Sequence, residues 1–192
     1  MTMTKTILAV GVGGQGAILF SRILSEGLLR LGYDVKMSEI HGMSQRGGSV
    51  TTQIRYGKAP VYAPCVGEGQ ADMIVAFEKL EALRALPMLR PGGSMIVDGR
   101  EIYPMPVLTG AAAYPHDALE TLRAQVESLT VVPGADIAEE LGSIRVQSVV
   151  LLGALVRIMG LADADWKDVI ADMAPKKALS LNLAAFDAGL AG

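Results

Sequence analysis

The 192-residue sequence is poor in soft metal ligands, with a single cysteine, Cys65, and only two histidines. One thiol cannot form an internal disulfide, a four-cysteine zinc site or an iron–sulfur cluster held by this chain alone. We therefore predict no metal site on this chain, and any electron carriers used in its chemistry would lie on another chain. Cys65 has no recognisable partner, so we expect a small buried apolar residue rather than a reactive thiol.

Charged residues are also scarce, at 19%, whereas hydrophobic residues make up 51%. The net charge is −3 and the basic residues are scattered, which argues against a basic nucleic-acid face. The longest apolar stretch, residues 149–162, contains Arg157 and is too short to cross a membrane. Because so apolar a chain would leave apolar surface exposed, we expect it to need a partner chain. We expect a soluble, cytoplasmic protein that binds neither nucleic acid nor membrane.

The pattern of hydrophobic residues alternates between strand and helix, and it becomes all helical from Val146 onward. A buried strand at 6–10 leads into a glycine loop, a helix at 17–31 and a second strand at 33–40. Further strands are predicted at 49–57, 71–78, 94–99 and 129–134, and further helices at 79–90, 116–125, 135–142, 165–173 and 176–188. We predict a single α/β domain over 1–192, with a Rossmann-like, mostly parallel sheet flanked by helices and a helical C-terminal part.

The first glycine loop, GVGGQG, follows the first strand and has the spacing G-x-G-x-x-G. In this setting the first glycine permits a tight turn, the second lets a phosphate approach the backbone, and the third lets helix and strand pack closely. The helix N-terminus adds amides that favour an anion. The candidate residues for a phosphate-bearing ligand are Gly11, Gly13, Gly14, Gln15 and Gly16. The alternative is that the glycines only close the corner or abut another subunit.

Two nucleotides are possible ligands for this loop. Glu39 lies at the end of the second strand, where an acidic residue would hold the ribose hydroxyls of NAD. The segment HGMSQRGG then stands where an ordinary helix should begin. ATP, bound as in adenylating enzymes of the ubiquitin-activating type, is the other possibility. Those enzymes commonly add a paired-cysteine zinc site, and this chain has one cysteine.

The second glycine-rich segment, EIHGMSQRGGSV, lies between two predicted strands and would form a poor helix or strand. Arg46 carries a permanent charge on a rigid donor fork suited to a phosphate or carboxylate. Gly47 and Gly48 can present backbone amides beside it, and Ser44 and Gln45 add donors and acceptors. The alternative is a rigid subunit contact in which Arg46 pairs with Glu39.

Together GVGGQG and EIHGMSQRGGSV resemble the gamma-type domain of 2-oxoacid:ferredoxin oxidoreductases. The form HGMSQRGGSV is most similar to the small (beta) subunit of the members that act on indolepyruvate. The resemblance continues through ADMIVAFEKLEALRALPMLRPGG, GADIAEELGSIRVQSVVLLGAL and NLAAFDAG, so it covers residues 5–189. One position departs from the family pattern, because Ser148, next to Gln147, stands where an asparagine is usual.

The resemblance implies a CoA-dependent conversion of a 2-oxoacid into an acyl-CoA and carbon dioxide, with two electrons passed to ferredoxin. It places thiamine diphosphate and the iron–sulfur clusters on a large (alpha) partner subunit. The sequence agrees with that division, since it has neither a cysteine set for a cluster nor a GDG…N thiamine motif. The second loop would then line the active site across the subunit boundary, reading the oxoacid carboxylate or the CoA diphosphate. His41 and Arg46 are weak candidates for a catalytic role.

Three further residues are predicted to be structural. Glu78 and Glu81 follow a strand end, and we interpret them as charges favoured by the dipole at the start of a helix. Trp166 is predicted to be a packing anchor.

Overall fold

The computed structural model describes residues 4–41 and 47–192, apart from the side chain of His41. Its sheet has six strands in the order β2-β3-β1-β4-β5-β6. The strands are β1 (Lys5–Val12), β2 (Asp34–His41), β3 (Ser49–Gly57), β4 (Ala71–Ala76), β5 (Leu89–Asp98) and β6 (Ser128–Val132). The helices are α1 (Ala17–Arg30), α2 (Lys79–Ala85), α3 (Met105–Leu108), α4 (Ala118–Gln125), α5 (Gly134–Glu140), α6 (Gln147–Ile158), α7 (Trp166–Met173) and α8 (Leu179–Ala191). The predicted α/β fold with a helical C-terminal part is confirmed.

The strand β3 makes the sheet mixed, although most strand pairs are parallel. The pairs β1–β4, β4–β5 and β5–β6 are parallel, whereas β3 runs antiparallel between β1 and β2. In a plain Rossmann unit the second strand would lie beside the first. Here β2 lies two strand spacings from β1, or about 9.6 Å.

Two hydrophobic cores cover the two faces of the sheet. On one face, Ile7 and Ala9 of β1 pack with Phe20 of α1, Leu151 of α6 and Phe186 of α8. On the other face, a smaller core surrounds Leu8, Val10 and Met95, with Ala82 of α2 and Leu122 of α4. Because side chains alternate along a strand, β1 supplies both cores and is buried along almost its whole length.

The helix predicted at 79–90 is shorter than expected, and this prediction was wrong at its C-terminal half. The helix α2 ends at Ala85 and continues only as a 3-10 turn over Leu86–Met88. Pro87 lacks the N–H that the helical ladder needs and restricts the residue before it, so the helix cannot extend. The strand β5 consequently begins at Leu89, five residues earlier than the predicted strand at 94–99.

Small residues let the C-terminal helices pack closely. A Cβ added to Gly189 of α8 would overlap the carbonyl oxygen of Val150 and would lie 2.9 Å from its carbonyl carbon. A Cβ on Gly153 of α6 would lie 2.9 Å from the backbone nitrogen of Leu190. Trp166 is 1% exposed and packs against Gly27 of α1, so its prediction as a packing anchor is confirmed. Within the described ranges, no helix has the length and apolar character required to cross a bilayer.

Candidate functional site

The chain reverses its direction across the sheet between β1 and β4, which lie side by side. From β1 it crosses through α1 toward β2, and from β4 it crosses through α2 the opposite way to β5. In open α/β sheets, ligands bind in the crevice outside the carboxyl ends of the strands at such a point. The first glycine loop follows β1 and residues 77–79 follow β4, so both border this crevice.

The two glycine loops are joined to each other at this crevice. The backbone N–H of Gly13 donates to the carbonyl oxygen of Gly48 at 2.8 Å. Beside this contact lies a cavity of about 390 Å³ at the start of α1. Its lining is glycine-rich and apolar, and consists of Val12, Gly13, Gly14, Gly16, Ala17, Ile18 and Val50.

The tight turn of the first loop is made by glycines other than the one that the motif predicts. Gly11 lies within β1, and a Cβ there would be 2.8 Å from Phe77 and 2.9 Å from Gln15. Close packing therefore requires Gly11, and the turn itself is made by Gly14 and Gly16, whose φ values are 105° and 85°. The amide of Gly13 is already bonded to Gly48. The role expected of the first glycine was therefore wrong, whereas the approach of a phosphate to the second glycine stays a prediction.

The N-terminus of α1 has the properties of an anion site. Gly16 is its N-cap and supplies no side-chain cap, and the first turn contains no acidic residue. Among the residues that the structure describes, none accepts a hydrogen bond from the amides of Gly14, Gly16 or Ala17. Such amides, at the positive end of the helix dipole, favour an anionic group.

Ser148 lies directly behind this loop. Its side chain is fully buried, and its Oγ has no hydrogen-bond partner among the described residues. A Cβ on Gly16 would come within 2.7 Å of that Oγ. A serine is shorter than the asparagine that the resemblance leads us to expect here, and its hydroxyl is a buried polar atom without a partner among the described residues.

A buried polar network connects the first glycine loop to the end of β5 through Gln147. The side-chain amide of Gln15 accepts from Val12 N at 2.7 Å and donates to Phe77 O at 2.8 Å. The Nε2 of Gln147 donates to the same Phe77 O and to Asp98 Oδ2, both at 2.8 Å. Gln15 Nε2 also donates to Gln147 Oε1 at 3.3 Å. The loop conformation is therefore fixed from within the core.

Asp98 and Arg100 complete this network at the carboxyl end of β5. Asp98 accepts from the backbone amides of Ala135 at 2.7 Å and of Arg100 at 3.0 Å, and its burial raises the pKa of its carboxyl group. Arg100 is half-buried and its Nη1 donates to Gln147 Oε1 at 3.4 Å. Arg100 forms no ion pair with a carboxylate of the described residues, so it adds a positive charge beside the crevice.

Glu78 holds a second cluster, on the side of the crevice next to α2. It is fully buried and caps α2 by accepting from Glu81 N at 2.8 Å, which bears out the interpretation of both as residues of the helix start. Glu78 also accepts from Ile102 N at 3.3 Å and from the hydroxyl of Tyr114. Burial raises the pKa of Glu78. Because three donors occupy its oxygens, its role is to hold the segment between β5 and α4.

Lys79 and Glu101 form an ion pair beside Glu78. Glu101 also contacts His116 Nδ1 at 3.1 Å and accepts from the hydroxyl of Tyr103 at 3.1 Å. These partners, Lys79 first, lower the pKa of Glu101 to about 2. Charged and polar side chains therefore hold the segment between β5 and α4 near both of its ends.

The predicted residues of the second loop are only partly described. The backbone of His41 ends β2, opposite Val50, whereas Ser44, Gln45 and Arg46 lie outside the described residues. Gly47 is exposed with a φ of 76°, and Gly48 makes the contact to Gly13.

Two expectations fail against the described geometry. Cys65 is exposed rather than buried, because it lies in the proline- and glycine-containing connection between β3 and β4, away from both cores. Glu39 lies on β2 beyond the intervening strand β3, opposite Thr52. It is therefore about one strand spacing farther from the first glycine loop than a ribose-binding carboxylate would be.

Several residues of the site were missed from the sequence. Asp98, Arg100 and Tyr114 were not predicted to contribute, although Asp98 follows a run of buried β5 residues and an acid at such a strand end is a usable signal. Among the described residues, no group of three or more His, Cys, Asp or Glu side chains could hold a metal ion.

Comparisons with known proteins extend over almost the whole chain. A family profile described as "Pyruvate ferredoxin/flavodoxin oxidoreductase" matches residues 6–192. A protein of Thermococcus kodakarensis named "Indolepyruvate oxidoreductase subunit IorB" is 39% identical over 96% of this chain and 93% of its own length. The protein of that name from Methanothermobacter thermautotrophicus is 36% identical over 97% and 96% of the two chains.

A solved structure supports the fold. The gamma subunit of a keto/oxoacid ferredoxin oxidoreductase from Geobacter sulfurreducens superposes with a TM-score of 0.73 at 22% identity. The match covers 98% of this chain and 95% of the other. At this identity the likeness concerns the fold alone.

Proposed function

Because the chain belongs to the pyruvate ferredoxin/flavodoxin oxidoreductase family, we propose that it is the small subunit of a CoA-dependent 2-oxoacid ferredoxin oxidoreductase. The substrate we propose is indolepyruvate or another arylpyruvate. The observation that carries the proposal is the match to relatives named indolepyruvate oxidoreductase subunits, which spans more than nine-tenths of both chains. The chain works as one domain in a cytoplasmic complex that passes its electrons to ferredoxin.

A large partner subunit carries the cofactors in this proposal. An iron–sulfur cluster needs about four cysteine ligands, and this chain has one cysteine, so its residues do not fit a cluster. Thiamine diphosphate, held by the partner, would supply the carbanion chemistry needed at the keto carbon of the substrate. The role of this chain is to bind and orient an anionic part of the substrate or of CoA at the shared boundary.

The crevice at the end of β1 suits that role. The N-terminus of α1 offers amides that no described residue uses, and Arg100 adds a half-buried positive charge nearby. Ile18 and Val50 give the adjoining cavity an apolar wall. An anion held at the amides, with an apolar portion against that wall, is the pattern of an oxoacid carboxylate or a CoA phosphate with its attached chain. In the chain, Arg46 lies between β2 and Gly47, beside the glycine segment that contacts the first loop. After Arg100, it is the second cation that we assign to the ligand.

The position of β3 argues against a second possible function, that of a stand-alone NAD(P)- or nucleotide-binding oxidoreductase. A dinucleotide site needs the acidic residue of the second strand near the first glycine loop. In this sheet β3 separates the strand that carries Glu39 from β1. Titration of the isolated chain with NAD(P)H and with ATP tests the alternative, and we expect no saturable binding.

Replacing Arg46 by alanine is expected to raise the KM for CoA or for the 2-oxoacid roughly tenfold to hundredfold in the assembled complex. A hydrogen bond to a charged group contributes about 1.5–3 kcal/mol, which corresponds to that range. Steady-state kinetics with an artificial electron acceptor, varying each substrate in turn, measures the effect and identifies which ligand the loop binds.

The control for this variant is Arg22→Ala, which removes an exposed arginine of α1 outside the loop. We expect wild-type constants for it. If both KM values stay unchanged in an intact Arg46→Ala complex, the second loop is a scaffold contact and binds no ligand.

A further inference from the structure

The segment between β5 and α4 is unusual in its composition. Residues 102–116, here called the charge-free loop, contain no Asp, Glu, Lys or Arg, although such residues make up 19% of the chain. Three of its large apolar side chains are exposed, at 67% for Met105, 64% for Leu108 and 44% for Tyr103. Soluble proteins rarely expose such contiguous apolar surface unless it binds something.

The charge-free loop is held in shape by buried groups at its base. Glu78 accepts hydrogen bonds from Ile102 N and from the hydroxyl of Tyr114, near the two ends of the loop. The helix α3 stiffens the middle, and its first turn is anchored by Leu108 N donating to Pro104 O at 3.1 Å. A surface whose conformation is fixed in advance loses less conformational entropy when it binds.

We propose that the charge-free loop is the element by which this chain docks onto its large partner, entering an uncharged apolar groove of the subunit that carries thiamine diphosphate and the iron–sulfur clusters. This inference rests on the proposed function. The loop has the composition of an interface core, in which Tyr and Met are enriched and charged residues depleted. At its base, half-buried Glu101 and exposed His116 and Asp117 supply the polar rim.

The position of the charge-free loop in the fold favours the large subunit as the chain that binds to it. Lys79 N donates to Arg100 O at 3.2 Å, and Arg100 in turn contacts Gln147, which holds the first glycine loop. A chain seated on the charge-free loop therefore lies beside the candidate ligand crevice, where the cofactor-bearing subunit has to be for the reaction. A second copy of this chain bound to the charge-free loop would place only another crevice without a cofactor beside the candidate ligand crevice.

The test uses the double variant Met105→Asp/Leu108→Asp, which places two charges on the docking surface without changing the base. Each protein is mixed anaerobically with the large subunit purified from the native cell, and complex formation is followed by size-exclusion chromatography with thiamine and iron analysis. We expect the apparent affinity to fall at least tenfold. Leu29→Asp is the matched control, because Leu29 is 49% exposed near the C-terminal end of α1, at the opposite edge of the sheet.

The outcomes separate this inference from the proposed function. If the wild-type chain does not bind the large subunit, the proposed function fails. If the wild type binds and the double variant binds equally well, with both folded by circular dichroism, the docking inference is overturned. It is equally overturned if the double variant only dissociates a homodimer of this chain and leaves the complex intact. The variant Met105→Leu/Leu108→Met keeps the surface apolar. If it binds the large subunit as the wild type does, the partner recognises the apolar surface.

Discussion

Gly189→Ala is expected to lower the free energy of unfolding by about 3 kcal/mol or more. The added methyl group would overlap the carbonyl oxygen of Val150, and it would lie 3.1 Å from the backbone nitrogen of Ala154. These are backbone atoms of α6, so no side-chain rotation relieves the overlap and the two helices have to separate. Overpacking of a close-packed core costs about 1–3 kcal/mol and sometimes more. Urea titration at constant pH, followed by circular dichroism, measures the change.

The control for this variant is Asp187→Ala on the exposed side of α8. It removes a surface ion pair with Lys167, in which both side chains are more than half exposed. Such pairs contribute about 0–1 kcal/mol, and alanine is a better helix former than aspartate. A Gly189→Ala protein as stable as this control would show that α6 and α8 do not pack through their glycines.

Gln147→Glu is expected to destabilise the protein by about 3 kcal/mol near neutral pH while leaving the shape of the side chain unchanged. The new carboxylate would face Asp98 Oδ2 and Phe77 O, the two acceptors to which Gln147 Nε2 now donates at 2.8 Å. Two donated hydrogen bonds would be lost, and a second negative charge would be buried beside Asp98. Leaving buried acceptors unpaired costs about 1–3 kcal/mol, and more for charged groups. We also expect the first glycine loop to lose part of its support, because Gln15 contacts Gln147.

The destabilisation caused by Gln147→Glu should increase with pH. Burial and the neighbouring Asp98 would raise the folded-state pKa of the introduced carboxyl above its unfolded value of about 4.3. The folded state then binds more protons than the unfolded state, so the destabilisation is small below that pH and grows as the pH rises toward the folded-state pKa. Denaturant titrations at about pH 4 and about pH 8 should differ accordingly. Gln125→Glu, on the exposed end of α4, should change stability by less than about 0.5 kcal/mol at either pH.

Much of the fold could be predicted from sequence because most of its elements have strong local signals. The glycine loop after a buried strand and the apolar spacing of α1 are local patterns, and the structure has both elements. The order of the strands in the sheet could not be predicted from local sequence patterns. Val50, Ile54 and Tyr56 alternate with polar residues whichever way β3 runs, so the pattern could not show that β3 enters between β1 and β2 in the antiparallel sense.

The site was only partly predictable for a related reason. The motif located the first glycine loop but could not show that Gly48 occupies the amide of Gly13, since that contact joins residues 35 positions apart in the chain. Asp98 was missed because its function arises from buried hydrogen bonds to Gln147 and to Ala135 N, which no spacing rule encodes. The charge-free loop has no helical or strand pattern of hydrophobic residues that marks it in the sequence. Its exposure, which sets it apart, appears only in three dimensions.

The most direct test of the proposed function is an anaerobic affinity purification of this chain from its native cell. We expect a brown complex with one large subunit that contains thiamine diphosphate and iron, and that reduces a viologen dye only when both a 2-oxoacid and CoA are present. Removal of this chain from the complex should abolish that activity. A colourless protein that purifies without a large partner, or a large subunit that is fully active alone, would contradict the proposed function.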